Sequence, residues 1–152
     1  MDLHSHTSRS DGILTPEELV AAAGAAGLRL LAITDHDTLA GVRSLRQSGA
    51  VPAGLELLPG IELNSVITEP AELGEGEVHV LGLGVDPDDD ALEAALARQR
   101  DSRRTRFELM VGRLRDQGMS VDAALETMPA TNEEDALGRP RIARAMIAAG
   151  YA

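Results

Sequence analysis

The sequence predicts an α/β fold in its first part and a purely helical second part. Three observations carry this reading. Runs of strand length alternate with helical patterns as far as Val85. Leu28 to Thr34 is a nearly continuous apolar run, as expected of a strand covered on both faces. After Val85 the strand pattern stops and one long amphipathic stretch takes over. We place a boundary near residue 86, between an α/β part (residues 1–85) and a helical part (residues 86–152).

Met1–Leu3 is long enough only for a strand stub, and the stretch Asp2-Leu3-His4-Ser5-His6-Thr7 follows at once. Thr15-Pro16-Glu17-Glu18 is a helix start, with Thr15 as N-cap, Pro16 at the first helical position and Glu18 closing a capping box. That helix crosses an Ala-rich segment and stops near Gly27. The Leu28–Thr34 strand comes next, then a helix from near Thr38 to Gly49. Strand pattern resumes at Leu55–Leu58 and Ile61–Val66, with Pro59-Gly60 as a break between them. Glu69–Gly76 is an acidic loop and Val78–Val85 a further strand. Asp86-Pro87-Asp88-Asp89-Asp90 opens the long helix, its carboxylates favourable at the positive end of the helix dipole. The helix runs from Ala91 to near Gln117, where Gly118 stops it. Shorter helices follow near Val121–Thr127 and Arg141–Ala149. Strands alternating with helices predict a parallel sheet or a barrel.

The 152 residues suit one domain, or one domain and part of another. They fall well short of the ~250 residues of a usual (β/α) barrel. With hydrophobic residues at 43%, a buried core is available and wholesale disorder is excluded. One Phe, one Tyr and no Trp leave almost no base-stacking surface, which argues against a single-strand nucleic-acid module. The absence of Cys excludes disulfides, thiolate zinc sites and thiol nucleophiles. No apolar run reaches membrane-spanning length and no signal-peptide pattern opens the chain, so a soluble cytoplasmic protein with no membrane partner is expected. Residues 1–97 carry 17 acids against 4 Arg, a balance of −13, whereas residues 98–152 carry 8 acids against 10 Arg, a balance of +2. The first part would repel a phosphate unless cations sit inside it. Duplex DNA is not an expected partner.

Such cations have ligands waiting. His4 and His6 are two apart, so at a strand end both imidazoles reach one point. Asp11 follows in Ser10-Asp11-Gly12, where Gly permits the turn that brings the carboxylate back. His36 lies in Thr34-Asp35-His36-Asp37 directly after the apolar strand, where parallel α/β folds place their chemistry. Glu62 follows Pro59-Gly60-Ile61, and His79 lies in Val78-His79-Val80-Leu81. Singly, each has an ordinary structural explanation: a hydrogen-bonded core histidine, a salt-bridge carboxylate, an Asx-turn. The joint order points to metal ligation. Imidazole and carboxylate without thiolate suit zinc, iron or manganese and do not choose among them. Asp37 either orients a histidine or caps the following helix. Arg98, Arg100, Arg103, Arg104 and Arg106 read mostly as a solvated helix face paired with nearby acids, with a basic wall guiding phosphates as the functional alternative.

This series of motifs resembles the PHP (polymerase and histidinol phosphatase) superfamily, and most closely its nucleotide phosphatase and exoribonuclease branch. The resemblance implies the first half of a distorted (β/α)7 barrel, followed by the start of a helical insertion that covers the substrate. It implies up to three divalent metals (Mn, Zn or Fe). His4, His6 and Glu62 would hold the first, Glu62 would bridge to a second shared with His79, and Asp11 and His36 would hold the third. It implies metal-assisted hydrolysis of a phosphomonoester, on a phosphorylated small molecule, a nucleoside 3′,5′-bisphosphate or the end of a short RNA. Asp37 is the candidate catalytic residue beside the metals and Arg139 the candidate substrate contact.

The chain departs from the family pattern in three places. A later His and an Asp-x-His pair, which complete the family's metal sites, lie beyond Ala152, so each site is expected to lack one protein ligand and the chain to be a fragment or a truncated gene product. The first strand is short. In Gly138-Arg139-Pro140-Arg141, members of the family it resembles usually carry His where Arg141 stands. The competing reading is a non-catalytic PHP module with a structural or partner-binding role.

Overall fold

The structure, a computed structural model, describes residues 1–67, 76–129 and 135–151. Its elements in order are α1 (Pro16–Ala25), β1 (Leu30–Ile33), α2 (Ala40–Ser48), β2 (Glu56–Ile67), β3 (Gly76–Leu83), α3 (Asp90–Asp116), α4 (Asp122–Thr127) and α5 (Arg139–Ala148). The predicted capping box is present: Thr15 Oγ1 accepts the Glu18 N–H at 3.2 Å and Glu18 Oε2 accepts the Thr15 N–H at 2.8 Å. Asp89 caps α3 by accepting the Leu92 N–H at 2.9 Å. The acidic loop predicted at Glu69–Gly76 falls almost wholly outside the described residues.

The three strands form one sheet in the order β1-β2-β3. The strand stub lies beside β1, where Asp2 bridges Leu31 in parallel and accepts the Ala32 N–H at 2.8 Å. β1 and β2 are parallel, as predicted, but β2 and β3 are antiparallel. Residues 68–75 are too few for the crossover of a dozen or more residues that a parallel pair requires. Pro59-Gly60 does not break the strand as expected. It marks the point where β2 changes partner, with Pro59 opposite Ile33 and Gly60 opposite Leu83. Pro59 has no N–H to leave unpaired there. A Cβ on Gly60 would come within 2.8 Å of Thr34 Cγ2, so only glycine lets the strands converge.

Two apolar clusters hold the sheet. Val20 and Ala23 of α1 and Val42 and Leu45 of α2 pack on Leu31 and Ile33 of β1 with Leu55. On the other part of the sheet, Leu96 of α3 packs on Ile61 and Leu39, with Leu92, Leu63 and Val85 around them. Removing a buried leucine such as Leu45 or Leu96 to Ala would cost about 2–5 kcal/mol. β3 is the exception, because Val78, Val80, Leu81 and Leu83 are all exposed. No helix among the described residues is long and apolar enough to cross a membrane.

Candidate metal centre

Four segments bring their polar ends to one place. The N-terminal stretch runs beside β1 until Ser5, whose carbonyl accepts the Thr34 N–H at 2.8 Å. His4 and His6 flank that anchor. His36 follows β1 and forms a parallel bridge with Glu62 of β2. The Asp37 N–H donates to the Glu62 carbonyl at 3.0 Å and the Glu62 N–H to the Asp35 carbonyl at 3.2 Å. On β3, His79 stands opposite Asn64, which makes it the diagonal neighbour of Glu62 on the same face.

Glu62 is the hub. Its Oε2 lies 2.8 Å from His4 Nε2, 2.9 Å from His6 Nε2 and 3.8 Å from His36 Nδ1, while its Oε1 meets His79 Nδ1. Asp11 lies on the far side, with Oδ1 3.2 Å from His6 Nδ1 and Oδ2 3.6 Å from His36 Nε2. Three triads result, each with one ligand atom per residue within 4.8 Å of the others: His4, His6 and Glu62; His6, Asp11 and His36; His36, Glu62 and His79. The six residues singled out in the sequence are thus brought together. The sharing of His6 and His36 between triads is additional to the sequence reading.

Burial and neighbouring charge compete at each group. Burial opposes the charge of Glu62, but the bond from His4 and the imidazoles around it hold its pKa below the ordinary value. The His6 hydrogen bond holds Asp11 at about 2. Burial lowers the pKa of His6, yet Asp11 and Glu62 outweigh it and leave the value raised. For His36 burial wins and the pKa falls, which favours the neutral ring. His36 Nδ1 is buried and has no hydrogen-bond partner among the described residues. A divalent cation fits this donor set: nitrogen and carboxylate oxygen atoms converge, and an imidazole nitrogen is held without a protein partner.

Two aspartates bracket His36. Among the described residues the Asp37 carboxylate bonds to no histidine, and α2 has no side-chain bond at its N-cap. Its carboxylate pairs with the Arg103 guanidinium and accepts the Asn64 N–H at 3.2 Å, and its carbonyl accepts Arg100 Nη1 at 3.1 Å. The residue is held at φ 50°, unusual for any side chain but glycine. Arg100 and Arg103 are correspondingly 7% and 8% exposed, which corrects the solvated-face expectation for these two. At i, i+4 and i+7 they continue the buried stripe begun by Leu96, and Asp37 and Glu93 meet their charge. Asp35, which sequence reasoning left without a role, is 1% exposed and accepts bonds from Thr7 and Ser10. Burial pushes its pKa up and those bonds pull against the rise. A cleft of about 400 Å³ opens beside the triads, lined by Asp11, His36, His79, Arg103, Arg106 and Arg139. Asn64 also lines it, and Arg103 Nη2 and Asn64 Oδ1 are buried without hydrogen-bond partners among the described residues. Arg141 does not line this cleft; its guanidinium donates to the Pro129 carbonyl at 2.9 Å.

The chain belongs to the PHP domain family, whose description matches residues 2–111. It is 36% identical over 152 residues to the 5′-3′ exoribonuclease Rnm of Escherichia coli (strain K12), covering 99% of this chain and 49% of that protein. It is 37% identical over 124 residues to the 3′,5′-nucleoside bisphosphate phosphatase of Chromobacterium violaceum, covering 82% of this chain and 39% of that one. A solved structure from Bifidobacterium adolescentis, assigned as a metal-dependent phosphoesterase, superposes with a TM-score of 0.82 at 35% identity, over 99% of this chain and 50% of that one. The chain spans about half the length, or less, of these relatives.

Proposed function

We propose that the protein carrying this chain is a metal-dependent phosphoesterase that hydrolyses a phosphomonoester, with a nucleoside 3′,5′-bisphosphate or the end of a short RNA as substrate. One observation carries the reading: a nearly buried carboxylate, Glu62, ringed by four imidazoles, one of which keeps a buried nitrogen unpaired. Names of the relatives support the substrate class, and the sequence motifs support a fold that is the first half of a distorted (β/α)7 barrel. Residues 86–152 serve in this reading as the start of a helical cover. His4, His6 and Glu62 would hold one cation, Glu62, His79 and His36 a second, and Asp11 with His36 a third. Such cations, when bound, supply positive charge for the phosphate oxygens and make water acidic enough to attack at neutral pH.

The chain's own residues do the rest. Arg103, Arg106 and Arg139 turn the cleft, otherwise lined by acids and imidazoles, toward phosphate. Arg103 Nη2 has no acceptor among the described residues and is the donor this reading assigns to a substrate oxygen once the cleft is filled. Asp37 acts by holding Arg103 in that position, and Asn64 lines the cleft beside it. The reading is tested with the purified protein and Mn²⁺ or Zn²⁺ against a panel of phosphomonoesters and 5′-phosphorylated short RNAs. Phosphate release that Glu62→Gln reduces by at least about 100-fold is expected. Release from no member of the panel would sink it.

A further inference from the structure

A second cavity, of about 350 Å³, adjoins the metal cleft. Ala136 and Gly138 line both, so the two openings meet along the strap of residues 135–138. That strap is laid against the N-terminal loop that carries Asp11. The Ala136 N–H donates to the Arg9 carbonyl at 2.9 Å, and Arg9 Nη1 donates to Asp135 Oδ1 at 3.3 Å. Arg141, where the chain departs from the family pattern, lines this second cavity and not the metal cleft.

The walls of this cavity are cationic. Arg9, Arg141 and Arg144 line it, and Asp135 is the only carboxylate among its described lining residues. The bonds they form leave positive charge over. Asp135 matches Arg9, but Arg141 donates to a neutral acceptor, the Pro129 carbonyl, at 2.9 Å. Burial and, after it, the nearby Arg144 charge lower the Arg141 pKa, with Asp135 opposing them. Guanidinium groups held that close favour an anion between them, and their forked donors suit a phosphate. Ile13 and Leu137 add apolar surface beside them, enough for a sugar or base to rest on. A strand whose end lies at the metals would lay its next phosphate across the strap. We propose that the cavity framed by Arg9, Arg141 and Arg144 is a second phosphate subsite, which holds the phosphodiester next to the reacting end of a short RNA strand. The reacting end rests on the phosphoesterase reading; the subsite has a test of its own.

The purified protein, loaded with Mn²⁺ or Zn²⁺, is assayed on a 5′-phosphorylated trinucleotide, a nucleoside 5′-monophosphate and a nucleoside 3′,5′-bisphosphate. Arg144 is exposed on α5, so its replacement spares the core. Arg144→Glu is expected to lower kcat/KM on the trinucleotide by about 10-fold or more and to leave the monophosphate within about 2-fold. Arg113→Glu makes the same charge change on an exposed position of α3 that lines neither cavity, and is expected to leave both values. Equal losses on trinucleotide and monophosphate, or equal losses in the two variants, overturn the proposal. A loss as large on the bisphosphate as on the trinucleotide would give the site to a 3′-phosphate of the same nucleotide and overturn the strand assignment. Arg144→Gln is read in the same way where Arg144→Glu does not fold. The second arm is fluorescence anisotropy with a labelled trinucleotide bearing a 5′-hydroxyl, which brings no terminal phosphate to the metals. Arg144→Glu should weaken its binding by about 10-fold and Arg113→Glu should not. Should no substrate release phosphate, the phosphoesterase reading fails and this contrast decides alone: its presence upholds the subsite and its absence removes it.

Discussion

Gly12 needs no unusual backbone angle, since it is absent from the residues at positive φ. What excludes a side chain there is space, because a Cβ would lie 2.4 Å from the His6 carbonyl oxygen and 2.8 Å from the Thr7 carbonyl carbon. Neither neighbour is a flexible side chain, so Gly12→Ala must push the backbone that carries His6. We expect it to destabilise by about 1–3 kcal/mol in thermal melts and to weaken Zn²⁺ binding in the same samples. A variant that melts and binds like the wild type would show that the loop can relax. At this scale the ligands were legible because a histidine at a strand end and a carboxylate beside a glycine are local patterns. Asp35 was not. A buried carboxylate whose partners are Thr7 and Ser10 has no spacing to announce it, and only the folded loop brings the three together.

Helix α3 is fastened to the centre through charge. Arg103→Ala would leave the Asp37 carboxylate, 0% exposed, without its guanidinium. Chemical denaturation should report a loss of about 3–5 kcal/mol, and Asp37→Asn in the same chain should recover part of it. Independent, additive losses would show that the two side chains do not support one another. The second tie is Glu93, bonded to Arg100 and Arg43. Burial works against its charge, but those arginines prevail and its pKa lies below the ordinary 4.5. A depressed folded-state pKa stabilises fully above the ordinary value and loses that contribution as pH falls through the folded one. The melting temperature should therefore drop on acidification below 4.5 more steeply in the wild type than in Glu93→Gln. Equal slopes would remove Glu93 from the account. The start and end of α3 were legible in its caps. Its buried face was misjudged because reading by charge sign separates Arg100 and Arg103 from the Leu92 and Leu96 stripe they extend.

For the molecule as a whole, the α/β class could be read from the apolar runs, whereas the antiparallel pairing of β3 could not be read from strand pattern alone. Val78 and Val80 point to one face of β3 and Leu81 and Leu83 to the other, all between 38% and 47% exposed. An edge strand with apolar side chains on both faces is a template for association. We expect the 152-residue chain to sediment with a concentration-dependent mass. Val80→Lys, on the face away from His79, should lower that dependence while leaving Zn²⁺ binding intact. A monodisperse wild-type chain at high concentration would count against the edge as a contact surface.

The partner change at Pro59-Gly60 also sets an order of assembly. Glu62 reaches His79 across 17 residues of chain but reaches His4 across 58. Closing the longer loop costs about 1 kcal/mol more in chain entropy, before any ligand is present to repay it. On that ground we expect the β2–β3 pair to form the early half of the centre and the arm bearing His4 and His6 the late half. Ligand capture by this fold is then expected to be a closing step, with the N-terminal arm exchanging its amide protons sooner than the β2–β3 pair in hydrogen-exchange measurements.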